Sequence, residues 1–147
     1  MATTTVVEPH FKLSLPGEWR HTPTKDQTLW QYVCETGTEQ LSISIHVSRT
    51  PIGDAERPVL VKQLQTIRLK AENGQITEPT QQPVRDICIG LYSGYDADSQ
   101  RRFSNLTLVN AQVIGNFYYE ALDMPQSDFV ERSASVLGGI GLSAPQR

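Results

Sequence analysis

Between Leu41 and Ser48 the chain alternates without a break, Leu41, Ile43, Ile45 and Val47 against Ser42, Ser44, His46 and Ser48. A β-strand turns successive side chains to opposite sides, so a period of two puts the apolar set on one face and the serines and histidine on the other. Burying each apolar side chain is worth roughly 1.5–3 kcal/mol before entropy is counted. A slip of one residue would expose all of them, so the register is strongly specified. The segment must be a strand in a sheet with one covered side, and the rest of the chain has to provide the cover.

The other elements follow from similar patterns. Phe11, Leu13 and Leu15 alternate with Lys12 and Ser14 in a short strand that Pro16-Gly17 ends, and Trp19 is expected to plug the edge of the core. Residues 29–35 read as a strand and 36–38 as a turn. Asp54 offers a helix N-cap, with Pro58 tolerated near the first turn. Leu60, Leu64, Ile67 and Ala71 form one apolar helical stripe, expected to face the core, while Lys62, Gln63, Thr66 and Lys70 face away. Asn73-Gly74 supplies a left-handed stop. Residues 75–85 are polar, contain Pro79 and Pro83, and read as a connection or a weak edge strand. Strands are expected near 86–95, 102–109 and 111–121, and their short connections imply an antiparallel meander. A second helix starts at Ser127 or Asp128, carries Phe129, Val136, Leu137 and Ile140 on one face, and unwinds at Gly138-Gly139 and Gly141. The order β-β-β-α-β-β-β-α predicts an α+β fold: an antiparallel sheet of about six strands packed by two helices. At 147 residues this is one domain, 1–147, with an ordered core over about 8–143.

Composition excludes several function classes. The net charge is -3 and the only adjacent Lys/Arg pair is Arg101-Arg102, beside Asp96 and Asp98, so the electrostatic footprint of a nucleic-acid binder is missing. No apolar run reaches the eighteen or so residues of a membrane helix, so an integral membrane protein is not expected. The Thr-rich start lacks a basic and apolar leader, which predicts a cytoplasmic protein. Cys34 and Cys88 are expected to be buried thiols, and neither has CxxC spacing. Gly138-Gly139-Ile140-Gly141 follows a helix, whereas a phosphate cradle precedes one. His10, His21 and His46 form no local ligand pair, and Asp96 with Asp98 lacks the further acidic ligands of a calcium loop. No cofactor, metal or catalytic residue is therefore assigned, although carboxylates that meet only in three dimensions escape a reading of this kind.

One constellation remains. Ser42, Ser44, His46 and Ser48 share a face of their strand, and Gly90 and Tyr92 share a face of another with Cys88 and Gly94. The later strands add Asn105, Thr107, Gln112 and Asn116, whose facing the sequence leaves open; if all of these share a face, it is a smooth surface of small residues rich in hydroxyl and amide groups. It is either an ordinary solvated sheet face or a groove for a guest helix or peptide, where small residues allow close approach and hydroxyls satisfy the guest's polar atoms. We take Ser42, Ser44, His46, Ser48, Gly90 and Tyr92 as the candidate partner-binding residues. Tyr92, Tyr95, Tyr118 and Tyr119 read as aromatic core, with the lining of a ligand pocket as the other reading.

The segment FKLSLPGEW, residues 11–19, resembles the start of the PsbP-like superfamily: a strand, Leu-Pro, a short gap and Trp. The order of elements matches that superfamily from about residue 8 to 143. It contains photosystem extrinsic proteins, a Ran-binding nuclear import factor and bacterial DcrB-like proteins, among them the Eag chaperones of type VI secretion. The resemblance implies an α/β/α sandwich and a non-enzymatic binder or adaptor. Chain length and the missing leader are similar to the Eag group, which implies a cytoplasmic chaperone holding a segment of a client protein. An immunity protein that blocks a toxin is the alternative within the binding class; a small ligand carrier or hydrolase is the alternative outside it. A homodimer is a further option, because an open sheet face or edge needs covering.

Overall fold

The computed structural model describes residues 3–143. Along the chain run β1 (Thr3–Val7), β2 (Phe11–Pro16), β3 (Trp19–Thr22), β4 (Leu29–Cys34), β5 (Glu39–Val47), α1 (Glu56–Leu69), β6 (Gln75–Ile76), β7 (Thr80–Val84), β8 (Ile87–Asp96), β9 (Arg101–Val109), β10 (Val113–Leu122), α2 (Gln126–Gly138) and β11 (Ile140–Leu142). The large sheet has the order β3-β4-β5-β10-β9-β8-β6, with β7 also paired to β8, and a small sheet has the order β1-β2-β11. Every pairing is antiparallel. The α+β class and the two helices match the expectation, and the strands exceed the expected six.

The extra strands have physical causes. Residues 3–7 are Thr and Val, good strand formers with no diagnostic apolar alternation, and they become β1 by pairing with β2. The glycine-rich stretch after α2 also behaves differently from simple unwinding. A Cβ at Gly139 would collide with the backbone oxygen of Ser14, and the Ser14 N–H donates to the Gly139 carbonyl at 2.8 Å. That close approach hands the chain into β11, which pairs with β2.

The large sheet is covered differently on its two faces. On the first face, Leu41, Ile43 and Ile45 of β5 lie beside Phe117 and Tyr119 of β10, all buried. The small sheet and α2 close over them. Phe11 of β2 meets Phe117 edge-on at 6.1 Å and Trp30 at 5.0 Å, and Phe129 of α2 stacks on Tyr119 at 5.5 Å. Trp19 is buried in this core, as a plug should be. The α2 helix is fastened by a polar clamp: Arg132 Nε donates to Glu39 Oε1 at 2.7 Å, and the Tyr119 hydroxyl donates to the same oxygen.

On the second face α1 packs over β7, β8 and β9. Its inward residues are Arg57, Val61 and Gln65, in place of the expected stripe Leu60, Leu64, Ile67 and Ala71. The floor beneath decides this. Gly90 has no Cβ, and a methyl there would collide with Val61 and come within 2.8 Å of Gln65 Nε2. The glycine lets the helix settle on its Val61 side. Gln65 then finds partners at the sheet edge, donating to the Thr80 carbonyl at 3.1 Å and accepting from Gln81 at 2.6 Å. Apolar burial is smaller than on the first face: Val61, Ile52, Cys88 and Val109 form a small cluster, and Phe103 is buried further along, against Tyr92 and Tyr118. Cys34 sits in the large core on the first face and Cys88 in this cluster on the second, so both thiols are buried and neither is in a disulfide.

Candidate functional site

Because α1 is centred on β8 and β9, the β10–β5–β4 half of the second face has no helix above it. The register fixes what lies there. Ser44 stands between Asn116 of β10 and Leu29 of β4, and Ser42 between Tyr118 and Gln31. His46 pairs with Ile114. Ser42, Ser44 and Ser48 are half-buried and His46 is exposed. The predicted serine–histidine face is thus beside the helix, not under it.

Two recesses line the junction between α1 and this open floor. One, of about 230 Å³, is bounded by Ser42, Ser44, Gln31, Thr24, Asn116 and Arg68. The other, of about 410 Å³, lies nearer the start of α1, between Ser48, Ile114, Leu60 and Val59. Leu60, Leu64 and Ile67 recur at spacings of four and three, so they run along one flank of α1, and Leu60 places that flank on the open side. Ile67 is 64% exposed. The apolar stripe read from the sequence therefore exists at the margin of the helix: Leu60 both packs on the second-face cluster and lines the recess, while Ile67 turns outward.

Gly90 and Tyr92 do not belong to this surface. Both lie beneath α1, Gly90 against Val61 and Tyr92 only 1% exposed, so their assignment to partner binding is corrected. They share the face with the serines, but the helix covers their half of it. Tyr92 has a structural partner, donating its hydroxyl to Glu72 at 3.1 Å, and Tyr118 donates to the other Glu72 oxygen at 3.1 Å. Arg101 in turn donates to the Tyr118 hydroxyl at 2.6 Å and to Glu120 at 2.9 Å. Burial, and then the Glu72 charge against the opposing pull of Arg68, pushes the Tyr92 phenol up to about 12. Tyr118 is raised as well, chiefly by burial. These tyrosines tie the end of α1 to the sheet, and Tyr119 belongs to the α2 clamp on the other face.

The residues missed from sequence are Arg68, Gln31 and Ile114; the sequence leaves the facing of Asn116 open and places Leu60 in the core. Arg68 is four residues beyond Leu64 and eight beyond Leu60, hence on or near the same flank; reading that stripe as a wall would have led to it. The Arg68 guanidinium lies over the Tyr118 ring, 5.5 Å from its centroid. The Asn116 amide lies 3.2 Å from Arg68 Nε, and with its oxygen assigned to that side, as the donors around it require, it accepts from Arg68. Asn105, Thr107 and Asn116 are buried together as a polar layer in the centre of the sheet.

Among the described residues no group of three His, Cys, Asp or Glu side chains converges on a point that could hold a metal. No helix among them is long and apolar enough to cross a membrane.

No family model matches the sequence, and no curated protein sequence matches it either. Solved structures do. The solution structure of cyanobacterial PsbP (CyanoP) from Synechocystis sp. PCC 6803 superimposes with a TM-score of 0.70 at 9% identity, over 96% of this chain and 92% of that one. The fold is PsbP-like. LpqN of Mycobacterium tuberculosis, a protein involved in cell envelope biogenesis, superimposes with a TM-score of 0.53 at 16% identity, over 97% and 91% of the two chains. A point mutant of the protein Mog1 does so with a TM-score of 0.53 at 10% identity, over 97% and 96%. At such identities the likeness is one of architecture, and it covers both layers of the PsbP-like sandwich from end to end.

Proposed function

We propose that this chain is a non-enzymatic protein-binding module whose open half-sheet beside α1 holds a segment of a client protein, in the manner of a bacterial secretion-associated chaperone or adaptor. The observation that carries the reading is the division of the second face. One half is covered by α1, and the other half combines a hydroxyl-rich floor with an apolar helical wall. A guest lying in that groove buries its apolar side chains against Val59, Leu60 and Ile114, and its polar atoms meet Ser42 and Ser44. Neither serine makes a side-chain hydrogen bond within the protein among the described residues, so their hydroxyls are free for a guest.

The test is co-purification with a co-expressed client. Ser42→Arg and Ser44→Arg each put a long cation onto the floor, and both are expected to abolish capture while leaving the circular dichroism spectrum and melting temperature near those of the parent. Capture that survives in both variants removes the groove from consideration. It favours an immunity-type complex made through loops or the outer helix surface, or a self-associated dimer, which sedimentation would reveal. We place the protein in the cytoplasm, ahead of export. The association of LpqN with envelope biogenesis points to the competing location, and cell fractionation decides between them.

A further inference from the structure

We infer that the Arg68 end of the groove is an anchor for a carboxylate side chain, so that the preferred guest is an amphipathic segment carrying one Asp or Glu. This deepens the groove reading and rests on it. Arg68 is the only charged residue lining its recess among the described residues, and around it stand Ser42, Ser44 and Gln31. All three are potential donors, and none makes a side-chain hydrogen bond within the protein among the described residues. Arg68 forms no ion pair among the described residues: Glu72, three residues beyond the end of the helix, turns one oxygen to Tyr92 and the other to Tyr118, and the guanidinium itself also faces the Tyr92 hydroxyl. Glu72 lowers the local positive potential without occupying the guanidinium. Asn116 and the face of Tyr118 hold Arg68 in place, so little ordering is left for a ligand to impose. A cation held in a partly desolvated recess and ringed by unused hydroxyl and amide donors suits a carboxylate, which accepts several hydrogen bonds at once. The rest of the groove sets the spacing. Leu60 lies eight residues before Arg68 on α1, about 12 Å along the axis. A helical guest would therefore carry its acidic residue seven or eight positions from its main apolar anchor, and an extended guest about four.

The probe is a phage-displayed library of random peptides, panned on the wild-type protein and then resynthesised as fluorescent peptides for anisotropy titration. Peptides that compete with one another and lose binding to Ser44→Arg identify groove ligands. Among these, an Asp or Glu at the stated spacing is expected, and its change to Asn or Gln should weaken binding about ten- to hundred-fold. Arg68→Gln should bind the acidic and amide peptides equally, and Arg68→Glu should prefer a Lys-substituted peptide, a reversal that misfolding cannot produce. Groove ligands with no acidic residue, or acid dependence that survives in Arg68→Gln, overturn the inference and leave the groove standing. Binding by a peptide's terminal carboxylate alone, abolished by C-terminal amidation, also overturns it. If no peptide is selected that Ser44→Arg rejects, the groove itself fails.

Discussion

On one side of the large sheet, Ile43, Phe117 and Tyr119 disappear beneath α2 and a second sheet. On the other side the same two strands present Ser42, Ser44, Asn116 and Tyr118, and the covering helix stands off to one flank. The first face buries aromatic and aliphatic bulk, the usual source of folding free energy. The second is held by a small apolar cluster, by Phe103 packed between Tyr92 and Tyr118, and by polar fastenings such as Gln65 to Thr80 and Glu72 to the two tyrosines. The contrast is between a face covered along its length and a face whose helix covers only one half, leaving the β10–β5–β4 floor open.

This division can be broken experimentally. The largest effect is expected from Phe117→Ala, which empties the centre of the first face and should cost about 3–5 kcal/mol in urea unfolding. Gly90→Leu forces α1 away from the second face. It should cost about 1–3 kcal/mol, and hydrogen exchange should quicken in α1 while α2 stays protected. Equal loosening of both helices would mean that the faces are not separable. An acid titration sharpens the comparison. Burial alone would raise the Glu39 carboxyl, but hydrogen bonds from Arg132 and Tyr119 outweigh it and hold the group below its ordinary value of 4.5. A lowered carboxyl contributes stability that is complete above that ordinary value and is lost as pH falls through the lowered one. Unfolding midpoints of the wild type should therefore fall on acidification more steeply than those of Glu39→Gln, which lacks the charge and should be less stable at neutral pH. The smallest effect belongs to Ser44→Arg, a half-exposed floor position, with a change within about 0.5 kcal/mol. A large loss there would show that the floor supports the fold instead of a guest.

Much of the architecture was legible because β5 states its own period, and Phe11, Leu13 and Leu15 do the same for β2. The helix α1 was found but rotated. Periodicity reveals that Leu60, Leu64 and Ile67 form a stripe, yet not whether that stripe meets a core or an empty neighbour. Gly90, in the third strand after the helix, decides which side of the helix goes down. The small sheet was missed because Thr3–Val7 and Ile140–Leu142 become strands only by pairing with β2 from either side. At the site, the serines and His46 were placed on the open surface, whereas Gly90 and Tyr92 share their parity and still lie covered. Parity assigns a side chain to a face; it says nothing about which half of that face a helix will occupy. Arg68 was invisible for a related reason, since its recess is made by strands distant in sequence.

The stitching of β2 between β1 and β11 has a consequence for synthesis. Strand β2 is made early and β11 late, so the greasy side of the large sheet stays unroofed while the ribosome translates nearly everything between them. A chain cut short before Ile140 and released would hold Phe117 and its neighbours under an incompletely anchored lid, a target for proteases and holdases.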